Sequence, residues 1–121
     1  MFKTILLIEK DEALKEFFSR VFYIDGFEVI FLENEEDISS LSESEVNSID
    51  MLVIDECSRP EKFSSKFKEL VKDSPKETVP VLGVLKKGTD PEEAHKNFDA
   101  VMVKDNFNIQ LLCDLVERLT S

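Results

Sequence analysis

Short apolar runs alternate with longer amphipathic ones along this chain. "TILLI" (4–8), "FEVIF" (27–31), "DMLVI" (50–54), "VPVLGVL" (79–85) and "AVMV" (100–103) are rich in aliphatic and β-branched residues. Most of these runs lack alternating polar positions, so they predict strands buried on both faces. The intervening segments have helical spacing. Leu14, Phe17, Phe18 and Val21 form one stripe, Phe63, Phe67, Leu70 and Val71 a second, and Ile109, Leu112, Val116 and Leu119 a third. A weaker helix is predicted over 35–46, where Ile38 and Leu41 are the clear anchors among many serines. Asp11 is placed to cap the first helix, and Gly26 suits its C-terminal end. Asp90-Pro91-Glu92-Glu93 supplies a capping acid, a proline at the first helical position and acids in the first turn. Strands alternating with helices predict an α/β domain over residues 1–121, a parallel sheet with helices on both faces. No repeat, low-complexity tract or linker interrupts it, and no output domain is expected within these residues.

Composition narrows the function classes. The chain has 121 residues, with 26 acids against 15 bases and a net charge of −11. Such a surface repels phosphate backbones and anionic lipid, so neither direct nucleic-acid binding nor membrane binding is expected. No apolar run reaches the ~20 residues that span a bilayer, and the N-terminus is charged too soon for a signal peptide. Cys57 and Cys113 lie far apart with no CxxC and no histidine nearby, which reads as reduced thiols in the cytoplasm. His95 sits in a polar helix and reads as a surface residue. The run "ENEEDISSLSESE" reads as a solvated face.

In parallel sheets of this kind, chemistry gathers at the C-terminal ends of the strands. The first strand delivers Glu9, Lys10 and Asp11 there, the third Asp55 and Glu56, the fourth Leu85 and Lys86, the fifth Lys104 and Asp105. Taken alone, Asp55 reads equally as a strand-end acid or a helix cap, and Glu9 and Asp11 as acids favouring a helix start. A flavin- or nucleotide-binding reading needs a Gly- or hydroxyl-rich phosphate loop after the first strand. "EKDEAL" has none, and its acids oppose phosphate.

Across essentially its whole length the sequence resembles the receiver domain of two-component response regulators. "ILLIEKDEALKEFF" is similar to that family's first strand and helix. "DMLVIDECSRP" is similar to the third strand and its phosphoacceptor aspartate, "VPVLGVL" to the fourth strand, and "DAVMVKDNF" to the fifth with its lysine. The resemblance implies a flavodoxin-like, doubly wound (βα)5 fold with strand order 2-1-3-4-5. It places Asp55 at the acceptor position, Lys104 at the lysine and Glu9 at the first magnesium-binding acid. Cys57 would supply a backbone carbonyl to the metal. Histidine kinases or other signalling proteins are the implied partners, and the domain is expected not to be an enzyme.

Several residues depart from the family pattern. Lys10 stands where a second metal-binding acid belongs, so magnesium is expected to bind weakly or not at all, with Glu9, Asp55 and the Cys57 carbonyl as the remaining donors. The Lys10 ammonium is expected to reach Asp55 in the metal's place. Leu85 replaces the switch hydroxyl, and Val101 the switch aromatic. Asp105 replaces a proline with a cis peptide, and a trans bond is expected there. Pro60 comes one residue late, the usual glycine of that loop is absent, and the segment from Leu85 to Lys104 is short by about one helical turn. The reading is an atypical receiver acting as a signalling and protein-interaction module in a phosphorelay, in which ordinary phosphorylation-driven switching is not expected. The alternative is a phosphorylatable receiver with a weakened magnesium site, and a flavin protein on the same fold is the remote one.

Overall fold

The computed structural model describes residues 2–76 and 78–121. The elements run β1 (Thr4–Ile8), α1 (Glu12–Ile24), β2 (Glu28–Leu32), a 3₁₀ turn (Glu35–Ser40), α2 (Glu43–Ser48), β3 (Ile49–Asp55), α3 (Pro60–Val71), β4 (Val81–Leu85), α4 (Pro91–Ala94), β5 (Ala100–Val103), a second 3₁₀ turn (Lys104–Asn106) and α5 (Ile109–Thr120). The five strands form one parallel sheet in the order β2-β1-β3-β4-β5. This is the flavodoxin-like arrangement, with its switch in strand order beside β1 and β3.

Each central strand feeds two cores. Ile5, Leu7, Met51, Val53, Leu82 and Val84 pack with Phe18, Phe22, Leu112 and Val116 of α1 and α5. Leu6, Ile8, Leu52, Ile54 and Leu85 pack with Ile38, Phe63, Phe67 and Phe98 on the opposite face. Successive side chains point to opposite faces, so burial on both sides requires an unbroken apolar run.

Local signals set the boundaries. Asp11 accepts the Leu14 N–H at 3.0 Å and caps α1. Gly26 takes φ +88, and the bonds Gly26 N–H to Tyr23 O (3.0 Å) and Phe27 N–H to Phe22 O (2.9 Å) close the helix as a Schellman motif. That closure uses Phe27, so β2 begins one residue later than the apolar run. The helix expected over 35–46 is instead two pieces. Ser42 starts a new helix with a full capping box, exchanging bonds with Glu45, while the Ser40 hydroxyl donates back to the Asp37 carbonyl at 2.6 Å. Serines compete for backbone groups in this way and break a continuous helix. The short segment before Lys104 leaves α4 with four residues, started by Asp90 and Pro91. Beneath it, Phe98 covers β4 so closely that a Cβ on Gly83 would lie 2.7 Å from its ring.

Candidate functional site

The loops after β1, β3 and β5 bring Glu9, Asp55 and Lys104 together at the C-terminal edge of the sheet. With Lys10, Asp11, Leu14, Glu56 and Lys86 they line a pocket of about 290 Å³. Asp55 ends β3 with its side chain only 5% exposed, and its Oδ2 accepts from Lys104 Nζ at 2.9 Å. The same ammonium reaches Glu56 Oε2 at 2.5 Å. Glu56 adopts φ 48, a left-handed conformation uncommon for a residue with a Cβ, while its N–H donates to Val84 O at 2.8 Å. Burial pulls the Lys104 ammonium towards neutrality, but the bonds to Glu56 and Asp55 outweigh it and hold its pKa above the ordinary value.

Glu9 is buried, with one oxygen accepting the Asp11 N–H at 3.0 Å. Glu9 Oε2 and Asp55 Oδ1 are buried without a hydrogen-bond partner. Burial first, then the neighbouring Asp55 carboxyl, pushes the Glu9 carboxyl up to about 8.

Lys10 differs from the expected arrangement. It is exposed at the pocket rim and makes no ion pair among the described residues. Lys104 holds Asp55 instead. The physical reason is solvation: Lys104, reaching across from β5 two strands away, meets two acids in a partly covered position, whereas Lys10 keeps its hydration in the loop after the adjoining β1. No group of three Asp, Glu, His or Cys side chains suited to a metal occurs among the described residues. One oxygen of each acid is already engaged, and Lys10 stands at the rim. Glu9 Oε2 and Asp55 Oδ1 are the free carboxylate oxygens left beside it.

The two switch positions are apolar and packed. Leu85 ends β4 within the core against Phe63 and Phe98, and Val101 lies partly buried against the same cluster. Asp105 follows Lys104 through a trans peptide, since no cis bond occurs among the described residues. Its Oδ1 accepts the Gly88 N–H at 3.0 Å, tying the end of β5 to the loop after β4.

Glu35 is the contributor that sequence reasoning passed over, because it lies in a run that reads as solvated. Its carboxylate accepts from the Ser58 N–H (2.9 Å), the Ser58 hydroxyl (2.8 Å) and the Cys57 thiol (3.3 Å). Burial works to raise the Glu35 pKa, but the Ser58 bonds prevail and lower it. This carboxylate pins the loop after Asp55. Burial, then Glu35, pushes the Cys57 thiol up to about 12. His95 and Lys86 are exposed.

A family model described as NTPase matches residues 2–110, and the chain belongs to that family. No curated protein matches the chain. Among solved structures, an orphan response regulator of H. pylori is similar at 24% identity and TM-score 0.77, over 98% of this chain and 97% of that one. A response regulator receiver domain from Clostridium thermocellum superimposes at TM-score 0.79 with 17% identity, over 98% and 94%. A chemotaxis response regulator of Vibrio cholerae does so at TM-score 0.74 with 15% identity, over 98% and 99%. At these identities the likeness establishes a shared receiver fold. The turn after β1 reads Glu9-Lys10-Asp11, without the glycines that bring backbone N–H groups onto a phosphate.

Proposed function

We propose that this chain is an atypical receiver that works as a signalling module through protein–protein contact, from a resting state in which Asp55 is already neutralised. The observation that carries this reading is Lys104 Nζ bridging Asp55 and Glu56 at 2.9 and 2.5 Å. In an ordinary receiver, the corresponding lysine, a hydroxyl and an aromatic ring answer the arrival of a phosphoryl group. Here Leu85 offers no hydrogen bond and Val101 no ring, so the hydroxyl–aromatic link from Asp55 to the face around β5 is missing and only the standing Lys104 contact joins them. A partner, a histidine kinase or another cytoplasmic signalling protein, would recognise one standing conformation. Magnesium binds weakly in this reading, and the chain is not an enzyme. With ATP or GTP and magnesium, phosphate release should stay at the buffer background.

The deciding experiment adds magnesium and beryllofluoride and follows amide NMR shifts over residues 86–115. Small shifts confined to the Asp55 pocket are expected. Large, saturable shifts across α4 and β5 would show a working switch and overturn the reading.

A second reading, a phosphorylatable receiver, is favoured by the unpartnered Asp55 Oδ1 in a pocket that three lysines, Lys10, Lys86 and Lys104, also line. Acetyl phosphate with magnesium would then add a phosphoryl mass that Asp55→Asn abolishes.

A further inference from the structure

The β2 edge of the sheet carries a second surface, distinct from the Asp55 pocket. β2 pairs only with β1 and has no bulge along that pairing. Glu28 N–H donates to Lys3 O at 2.9 Å, and Leu32 O accepts from Glu9 N–H at 3.0 Å. Glu28, Ile30 and Leu32 therefore turn their backbone groups inward to β1, and Val29 and Phe31 present theirs outward. The side chains of Val29 and Phe31 join Phe2, Tyr23 and Phe27 in lining a groove of about 890 Å³ beside α1. Phe2, Tyr23 and Phe31 are 67%, 78% and 39% exposed, three of the five exposed large apolar side chains among the described residues. Natural edge strands are usually blunted by proline, lysine or a bulge. β2 reads Glu-Val-Ile-Phe-Leu and has none of these within it; the one cation against it is Lys15 of α1, which lies 5.1 Å from the centre of the Phe31 ring and 3.9 Å from Glu12.

Charge decides what this edge can take. Glu33, Glu36 and Asp37 stand exposed just past the C-terminal end of β2, in a chain of net charge −11. Pairing with a second copy, antiparallel about Ile30, would set that acid cluster against Asp25 and Glu28 of the other copy. Arg20, near that end, is already engaged by Glu16 at 2.7 Å. A second copy is thus opposed by like charge. We propose that the β2 edge accepts an extended segment of a basic partner protein as an added strand. The segment's backbone would bond to Val29 and Phe31, its alternate apolar side chains would fill the Phe2–Tyr23–Phe31 groove, and its Lys or Arg end would lie over Glu33, Glu36 and Asp37.

The test pans a phage library of short random peptides on the full chain, then titrates a synthetic copy of the most enriched peptide. Enriched sequences should combine alternating apolar residues with a basic end, and should shift the amides of Tyr23, Val29 and Phe31. Three variants should each weaken binding by about tenfold or more: Phe31→Lys, the pair Glu36→Lys with Asp37→Lys, and Val29→Pro. The last removes an outward N–H and leaves the β1 ladder whole. Unchanged melting curves verify that each variant is folded, and a variant that melts early is replaced by Phe31→Ser. Enrichment of acidic peptides, no enrichment, or shifts centred on the Asp55 pocket would overturn the proposal. So would a dimer in sedimentation that Phe31→Lys dissolves, which would assign the edge to a second copy.

Discussion

At the scale of single residues, the site is a contest over two carboxylates. Glu9 and Asp55 each keep one buried oxygen unpartnered, and Lys104 takes the other oxygen of Asp55. Burial and the Asp55 carboxyl push the Glu9 carboxyl from its ordinary value near 4.5 up to about 8. A carboxyl whose folded pKa is raised holds its proton in the folded state after the unfolded chain has lost it. Its influence is nil below about pH 4.5, then lowers stability progressively as pH rises to about 8. Glu9→Gln should remove that dependence and make the protein more stable at pH 8 by about 2 kcal/mol. Thermal melts of both proteins between pH 5 and 8 check this: the unaltered chain should lose stability over that range while the variant changes little. The second prediction concerns Lys10, exposed at the pocket rim. Lys10→Asp replaces a repelling cation by a third carboxylate near Glu9 and Asp55, and should tighten magnesium binding by about tenfold or more in an NMR titration. Removing Lys104 acts oppositely on stability. Lys104→Met leaves Asp55 and Glu56 facing each other without a cation and should cost about 2 kcal/mol in urea unfolding at pH 7.

At the scale of elements, the positions hardest to read were those settled by competition between neighbours. The serines around Ser42 split one expected helix into a 3₁₀ turn and α2, because a capping box satisfies backbone N–H groups that a continuous helix would have bonded itself. Gly83 looks unremarkable within an apolar strand. Its lack of a side chain matters only because Phe98, far along the chain, lies on it. Gly83→Ala should destabilise the fold by about 1–3 kcal/mol through overpacking. Combining it with Phe98→Leu should recover part of that loss, whereas simple additivity in urea unfolding would refute the contact as the cause.

At the scale of the whole molecule, an excess of acids surrounds a core filled from both faces of one sheet. With 26 acids and 15 bases, self-repulsion opposes compaction, so moderate sodium chloride should raise the melting temperature relative to a salt-free buffer. What the sequence determined by itself was set by local rules. The apolar runs announced the strands, and β1, β3 and β4 are buried on both sides as expected, while the edge strands β2 and β5 are covered only in part. The three helical stripes announced α1, α3 and α5, and Asp11, Gly26 and Asp90-Pro91 marked helix ends. Period and capping act over a few residues, so they are legible along the chain. The positions of Glu9, Asp55 and Lys104 at strand ends were legible for the same reason. Which cation meets Asp55 was not. Lys10 is near Glu9 in sequence, yet Lys104 carries the contact, because the sheet brings the ends of β3 and β5 to one edge and leaves Lys10 in solvent. Glu35 was hidden among solvated acids until the fold set it against Ser58. Pairings between distant residues depend on register and burial, and only the tertiary structure supplies those.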